Sequence, residues 1–101
     1  MKPEDIEKEV VEKNLTAPRV NVERINSIIT KEEYHVFSGV HTVCCLTLEN
    51  GFTVIGESAC VSPKNFDEEL GRKIARDKAR EKIWGLEAYL LADKRYHNGL
   101  D

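Results

Sequence analysis

Apolar residues recur along this chain at two different spacings, and the change between them divides it into segments. From Glu4 to Asn14, Ile6, Val10 and Val11 follow a helical spacing, and Pro3 sits where a helix start needs no amide hydrogen. The run Leu15-Thr16-Ala17-Pro18-Arg19 interrupts that pattern. Asn21 can then cap a second short helix over Val22 to Ile29, whose Val22, Ile25, Ile28 and Ile29 form one stripe. Helices this short need a partner surface to be stable.

From Glu33 to Val61 the period becomes that of strands, which are predicted over Glu33 to Ser38, His41 to Leu48 and Phe52 to Cys60. Asn50-Gly51 between the last two is a strong local hairpin signal. A two-residue type I′ turn there would set Thr47 opposite Val54 and Cys45 opposite Gly56 on one face, with Leu46 opposite Ile55 and Cys44 opposite Glu57 on the other. The Leu46 face is expected to take the helices. Val43, Cys45, Phe52 and Val54 would then lie on an uncovered face, which predicts self-association through Val43, Phe52 and Val54.

After Ser62-Pro63-Lys64, Asn65 reads as an N-cap with Glu68 three residues on. A long helix is expected to follow, with Phe66, Leu70, Ile74 and Ile83 in its buried stripe and Ala75 and Ala79 allowing close approach. Gly85 predicts a kink, beyond which Leu86, Tyr89, Leu90 and Leu91 continue an apolar face, and Tyr96 to Asp101 reads as a frayed tail. The pattern as a whole predicts one α+β domain of four segments. They are an N-terminal helical segment (1–29), an antiparallel sheet (30–61), a kinked C-terminal helix (65–94) and a tail (95–101).

The length of 101 residues agrees with one domain, and 15 basic against 18 acidic side chains give a net charge of −3. A global basic footprint for DNA or RNA is therefore lacking, and any phosphate contact must come from a local cation cluster. Tyr34 to Leu48, the least polar stretch, is shorter than the roughly 18 to 20 apolar residues of a membrane span. The acidic start Met1-Lys2-Pro3-Glu4-Asp5 is unlike a signal peptide, so a cytoplasmic protein is expected. Cys44, Cys45 and Cys60 are an odd set without C-x-x-C spacing, with Cys44 and Cys45 pointing to opposite faces of a strand; reduced thiols and no metal or other cofactor are expected.

The long helix carries Glu68, Arg72, Arg76 and Arg80 four residues apart, beside a second row of Glu69, Lys73, Asp77 and Glu81. Such rows form a solvated face laced with i,i+4 pairs, or they present guanidinium groups to phosphate and bases. Glu57, on the expected core face, reads as a shifted register, a sheet end, or a carboxylate that accepts hydrogen bonds from a ligand or an arginine. His35, His41 and His97 form no recognised catalytic pair, and Gly56-Glu57-Ser58 lacks the following glycine of a nucleophile elbow. A non-enzymatic role is the expectation.

Several strings occur together in order: Leu15-Thr16-Ala17-Pro18-Arg19-Val20, Asn50-Gly51-Phe52-Thr53-Val54, Gly56-Glu57-Ser58-Ala59-Cys60-Val61, Asn65-Phe66-Asp67, Gly71-Arg72-Lys73-Ile74-Ala75 and Tyr89-Leu90-Leu91. In these the chain resembles the small tailed-phage proteins of the "gene product forty-nine / gene sixty-six" family, from Leu15 to Leu91. Gly85 stands where many members carry proline. The Asn65-Phe66-Asp67 start, the hairpin and the arginine-bearing helix are also similar to the phage Thoeris anti-defence sponges, which bind cyclic ADP-ribose isomers and in some members cyclic oligonucleotides. That resemblance implies a homo-oligomeric protein of the host cytoplasm that sequesters a cyclic nucleotide immune signal without cleaving it. Asn65 and Asp67 would meet ribose or base edges, and Arg72, Arg76 or Arg80 would meet pyrophosphate or stack on a base. The alternatives are an interaction protein that inhibits a host protein and, third, a phosphodiesterase.

Overall fold

Asn21 caps a helix as its position predicts, its Oδ1 accepting the Arg24 amide hydrogen at 2.8 Å. The computed structural model describes residues 2–13 and 18–99. In chain order these form α1 (Pro3–Glu12), α2 (Val22–Ile28), β1 (Ile29–Phe37), β2 (His41–Leu48), β3 (Thr53–Ala59), a 3-10 turn (Pro63–Asn65) and α3 (Glu68–His97). Residues 15–17 of the expected interruption over Leu15 to Arg19, the last residue of the expected first helix, Asn14, and the last two residues of the expected tail lie outside the described residues. β1 starts directly where α2 ends, four residues before the expected strand start.

The three strands form one antiparallel sheet in the order β1-β2-β3, which makes the architecture α+β. Strict alternation along β2 buries Thr42, Cys44, Leu46 and Leu48, while Val43, Cys45 and Thr47 point to the other face. The strong turn signal at Asn50-Gly51 gives a different turn from the expected one. Leu48 donates to the Phe52 carbonyl at 2.8 Å and Gly51 donates to the Leu48 carbonyl at 2.9 Å. The loop is therefore Glu49-Asn50-Gly51, and of these residues Gly51 alone has a positive φ, 87°. This is a type I turn followed by a left-handed glycine, which lengthens the loop by one residue over type I′. The turn at the other end of β2, at Ser38-Gly39, is the one with two consecutive positive φ values, 53° and 68°.

One extra loop residue moves every β3 side chain to the opposite face. Leu46 stands opposite Val54, Cys45 opposite Ile55 and Val43 opposite Glu57. Val54, expected on the uncovered face, is 6% exposed and belongs to the core. Phe52 shares the helix-facing side with Leu48 and Val54 but lies at the hairpin tip, where it stays exposed. Ile55 and Glu57 take the face that no described element covers, so the register reading of Glu57 is the one that applies.

α3 lies across the helix-facing side of the sheet, and its Ala75, Ala79 and Ile83 join Ile25, Ile28, Cys44, Leu46, Leu48 and Val54 in one core. Asp67 caps α3 by accepting the Leu70 amide hydrogen at 3.0 Å. Asn65, expected in that role, ends the preceding 3-10 turn instead. The helix therefore begins three residues after Asn65, continues through Gly85, and ends at His97 rather than 94. Leu70 and Ile74, placed by sequence in the buried stripe, are 53% and 37% exposed, because the helix turns its alanines to the sheet.

Candidate functional site

The N-terminal turns of α3 have a cleft on the β1 side of about 460 Å³, lined by Tyr34, Glu68, Glu69, Arg72, Lys73 and Arg76, within the size range of small-ligand sites. Tyr34 alternates onto the helix-facing side of β1, opposite Cys44. The Arg72 guanidinium stands over its ring at 5.1 Å from the centroid, a cation–π contact, and pairs with Glu68 at 2.9 Å. The Tyr34 hydroxyl donates to Glu32 Oε1 at 2.8 Å, and Arg76 Nε donates to Glu32 Oε2 at 3.0 Å. Neither Tyr34 nor Glu32 stood out in the sequence, where the segment around them reads as a modest strand.

The titration of these groups follows from their contacts. Burial acts to raise the Glu32 carboxyl, and the hydrogen bonds from Tyr34 and Arg76 outweigh it, holding it below the ordinary carboxylate range. Burial first, and then the bond to Glu32, pushes the Tyr34 phenol above its ordinary value. The Cys44 thiol beneath is pushed up by its burial.

The five residues assigned to a ligand by sequence divide among three places. Arg72 and Arg76 share the Tyr34 cleft. Asn65 and Asp67 line a separate recess of about 140 Å³ together with Thr42, Ser58, Leu70, Gly71 and Ile74. Arg80 reaches neither. Its side chain is 11% exposed, it donates to Asn26 Oδ1 at 2.9 Å, and it stands 3.9 Å from Glu4, tying α3 to α2 and α1. Helical spacing puts the three arginines in one row, but the elements that row passes over differ, and those neighbours decide what each arginine does.

On the uncovered sheet face, His41 Nε2 lies 3.3 Å from the Glu57 carboxylate and His35 packs edge-on against Phe37; Val43 sits between His35 and Glu57, with Cys45 and Ile55 in the next cross-strand row. Cys44, Cys45 and Cys60 are free thiols. Among the described residues no group of three or more His, Cys, Asp or Glu side chains is placed to hold a metal ion, and no helix is long and apolar enough to cross a membrane.

Sheet, helix and cleft define a small α+β protein with an aromatic and cationic recess beside its longest helix. Residues 20–95 match the model of the phage protein (N4 Gp49/phage Sf6 gene 66) family, and the chain belongs to that family. The match spans α2 through almost all of α3 and leaves α1 outside. No curated protein and no solved structure is significantly similar to the chain.

Proposed function

We propose that this phage-family protein binds a cyclic nucleotide immune signal, a cyclic ADP-ribose isomer or a cyclic oligonucleotide, and sequesters it without cleaving it in the host cytoplasm, as a homo-oligomer. The observation that carries this reading is the Arg72 guanidinium seated on the Tyr34 ring, next to Arg76 and Lys73, in a cleft of nucleotide dimensions. Cations fixed beside an aromatic ring offer both phosphate contacts and a stacking surface. Glu68 and Glu69 on the rim pair with Arg72 and Lys73. Both carboxylates are exposed, so a ligand phosphate competes with weak surface ion pairs for these cations.

A thermal-shift panel of cyclic ADP-ribose isomers and cyclic di- and trinucleotides tests the reading. Ligand at a hundred times its Kd stabilises by about 2.7 kcal/mol, a rise on the order of 10 °C for a domain of this size. Recovery of unchanged nucleotide after heat denaturation separates sequestration from a phosphodiesterase. A second reading, direct inhibition of a host protein, is supported by the uncovered sheet face, where Phe37 is 54% and Ile55 40% exposed. It predicts silence across the nucleotide panel and capture of a host protein that is lost in an Ile55→Asp variant.

A further inference from the structure

We infer that Glu32 is the positioning residue of the Tyr34 cleft: it fixes the ring and the Arg76 guanidinium in the orientation a ligand meets, without itself touching that ligand. The inference rests on the functional reading above. Glu32 lies at the start of the helix-facing series Glu32, Tyr34 and Val36 on β1, and each of its two carboxylate oxygens is committed to a different element. Oε1 takes the Tyr34 hydroxyl from within β1, and Oε2 takes Arg76 Nε from α3, 44 residues further along the chain.

Three consequences follow from that bridge. First, Tyr34 loses the freedom to swing about its side-chain torsions, so its ring stays beneath Arg72. Second, the Nε of Arg76 is tied to Glu32 at 3.0 Å, which fixes the guanidinium of a residue that lines the cleft and commits only one of its nitrogens. Third, Glu32 is not among the residues that line the cleft, so a ligand held there meets Tyr34 and Arg76 rather than the carboxylate behind them. Glu32 therefore acts through two other side chains, and a bridge that holds both in place before binding removes part of the ordering cost that binding otherwise carries.

The experiment compares wild type, Glu32→Gln and Glu32→Ala, with cyclic ADP-ribose and cyclic di-AMP as probes in calorimetric titration. Thermal midpoints and an ultraviolet titration of the tyrosines are measured alongside, with Tyr34→Phe assigning the Tyr34 signal. At a temperature where all variants are folded, Glu32→Ala is expected to weaken the bound probe about tenfold, and Glu32→Gln, which keeps one acceptor oxygen, to fall between. In Glu32→Ala the Tyr34 phenol titrates closer to an ordinary tyrosine, a change that loss of stability alone does not produce. Unchanged affinity in Glu32→Ala against a wild type that binds overturns the inference and leaves the functional reading standing. Weakened binding with the Tyr34 titration unmoved also overturns it, because Glu32 then acts by another route. A wild type that binds neither these probes nor any other member of the panel overturns both.

Discussion

Gly56 of β3 lies directly beneath Ala75 of α3, so close that a side-chain carbon at Gly56 would overlap the Ala75 carbonyl oxygen and the Ala79 amide nitrogen. The backbones of helix and strand touch there, and this contact sets the height of α3 above the sheet along its first half. Gly56→Ala is expected to cost about 1 to 3 kcal/mol, since the obstacle is backbone that cannot rotate aside. Thermal unfolding checks this; a midpoint within a degree or two of wild type would show that the helix can ride up without loss.

The arginine row should separate under mutation into structural and ligand-facing members. Arg80 is nearly buried and bonded to Asn26, so Arg80→Ala should lower stability by about 1 to 3 kcal/mol. Arg72 is half exposed and its Glu68 pair is a surface pair, so Arg72→Ala should change stability by less than about 1 kcal/mol. Calorimetric titration should then show a ten- to a hundredfold weaker nucleotide affinity in Arg72→Ala, roughly the value of a charge-assisted contact. Equal affinity in wild type and Arg72→Ala would remove the Tyr34 cleft from consideration.

Thr42 has no exposed surface, and its Oγ1 makes no hydrogen bond to a described residue while lying against Gly71. A buried hydroxyl without a partner is a cost that an isosteric methyl group does not carry. Thr42→Val is therefore expected to leave the thermal midpoint unchanged or raise it. A fall of several degrees would mean that the hydroxyl is hydrogen-bonded in solution.

Acid should weaken the β1–α3 bridge and with it the stability of the fold. The Glu32 carboxyl is held below its ordinary range in the folded state by Tyr34 and Arg76 against the effect of burial. A depressed carboxyl contributes stability that is fully present above the unfolded-state value of about 4.3 and is lost as pH falls through the lower folded value. Glu7, held down by the hydrogen bond from Arg19, adds to the same trend. Stability should thus decline below about pH 4, and less steeply in Glu32→Gln, when denaturant midpoints are compared across pH. Equal slopes for the two proteins would remove Glu32 from the acid transition.

Self-association, if it uses the uncovered sheet face, should depend on Ile55 and Val43 rather than on Val54. Ile55→Asp is expected to shift any oligomer toward monomer in light scattering while the chain stays folded. Val54→Asp should instead unfold it, because Val54 packs among Leu46, Leu48 and the helix. An oligomer indifferent to Ile55→Asp would place the contact elsewhere.

The sequence by itself determined those elements whose signal lies in neighbours a few residues apart and admits one outcome. The Asn21 cap, the alternation of β2, the two short helices and the long one all follow from periodicity and capping chemistry, which act locally. Membership of the phage family was legible in the order of its short strings. The tertiary structure decided what depends on long-range geometry. One additional loop residue at Glu49-Asn50-Gly51 turned Val54 inward and Ile55 and Glu57 outward, and Asn-Gly chemistry is compatible with both loop lengths. Asn65 and Asp67 are both suitable caps, and the 3-10 turn before α3 selected Asp67. The three arginines share a helical row, yet Arg72 meets Tyr34, Arg76 meets Glu32 and Arg80 meets Asn26. Partners 38 to 54 residues distant in sequence leave no mark in any local pattern, so only the packing of α3 on the sheet and α2 could assign them.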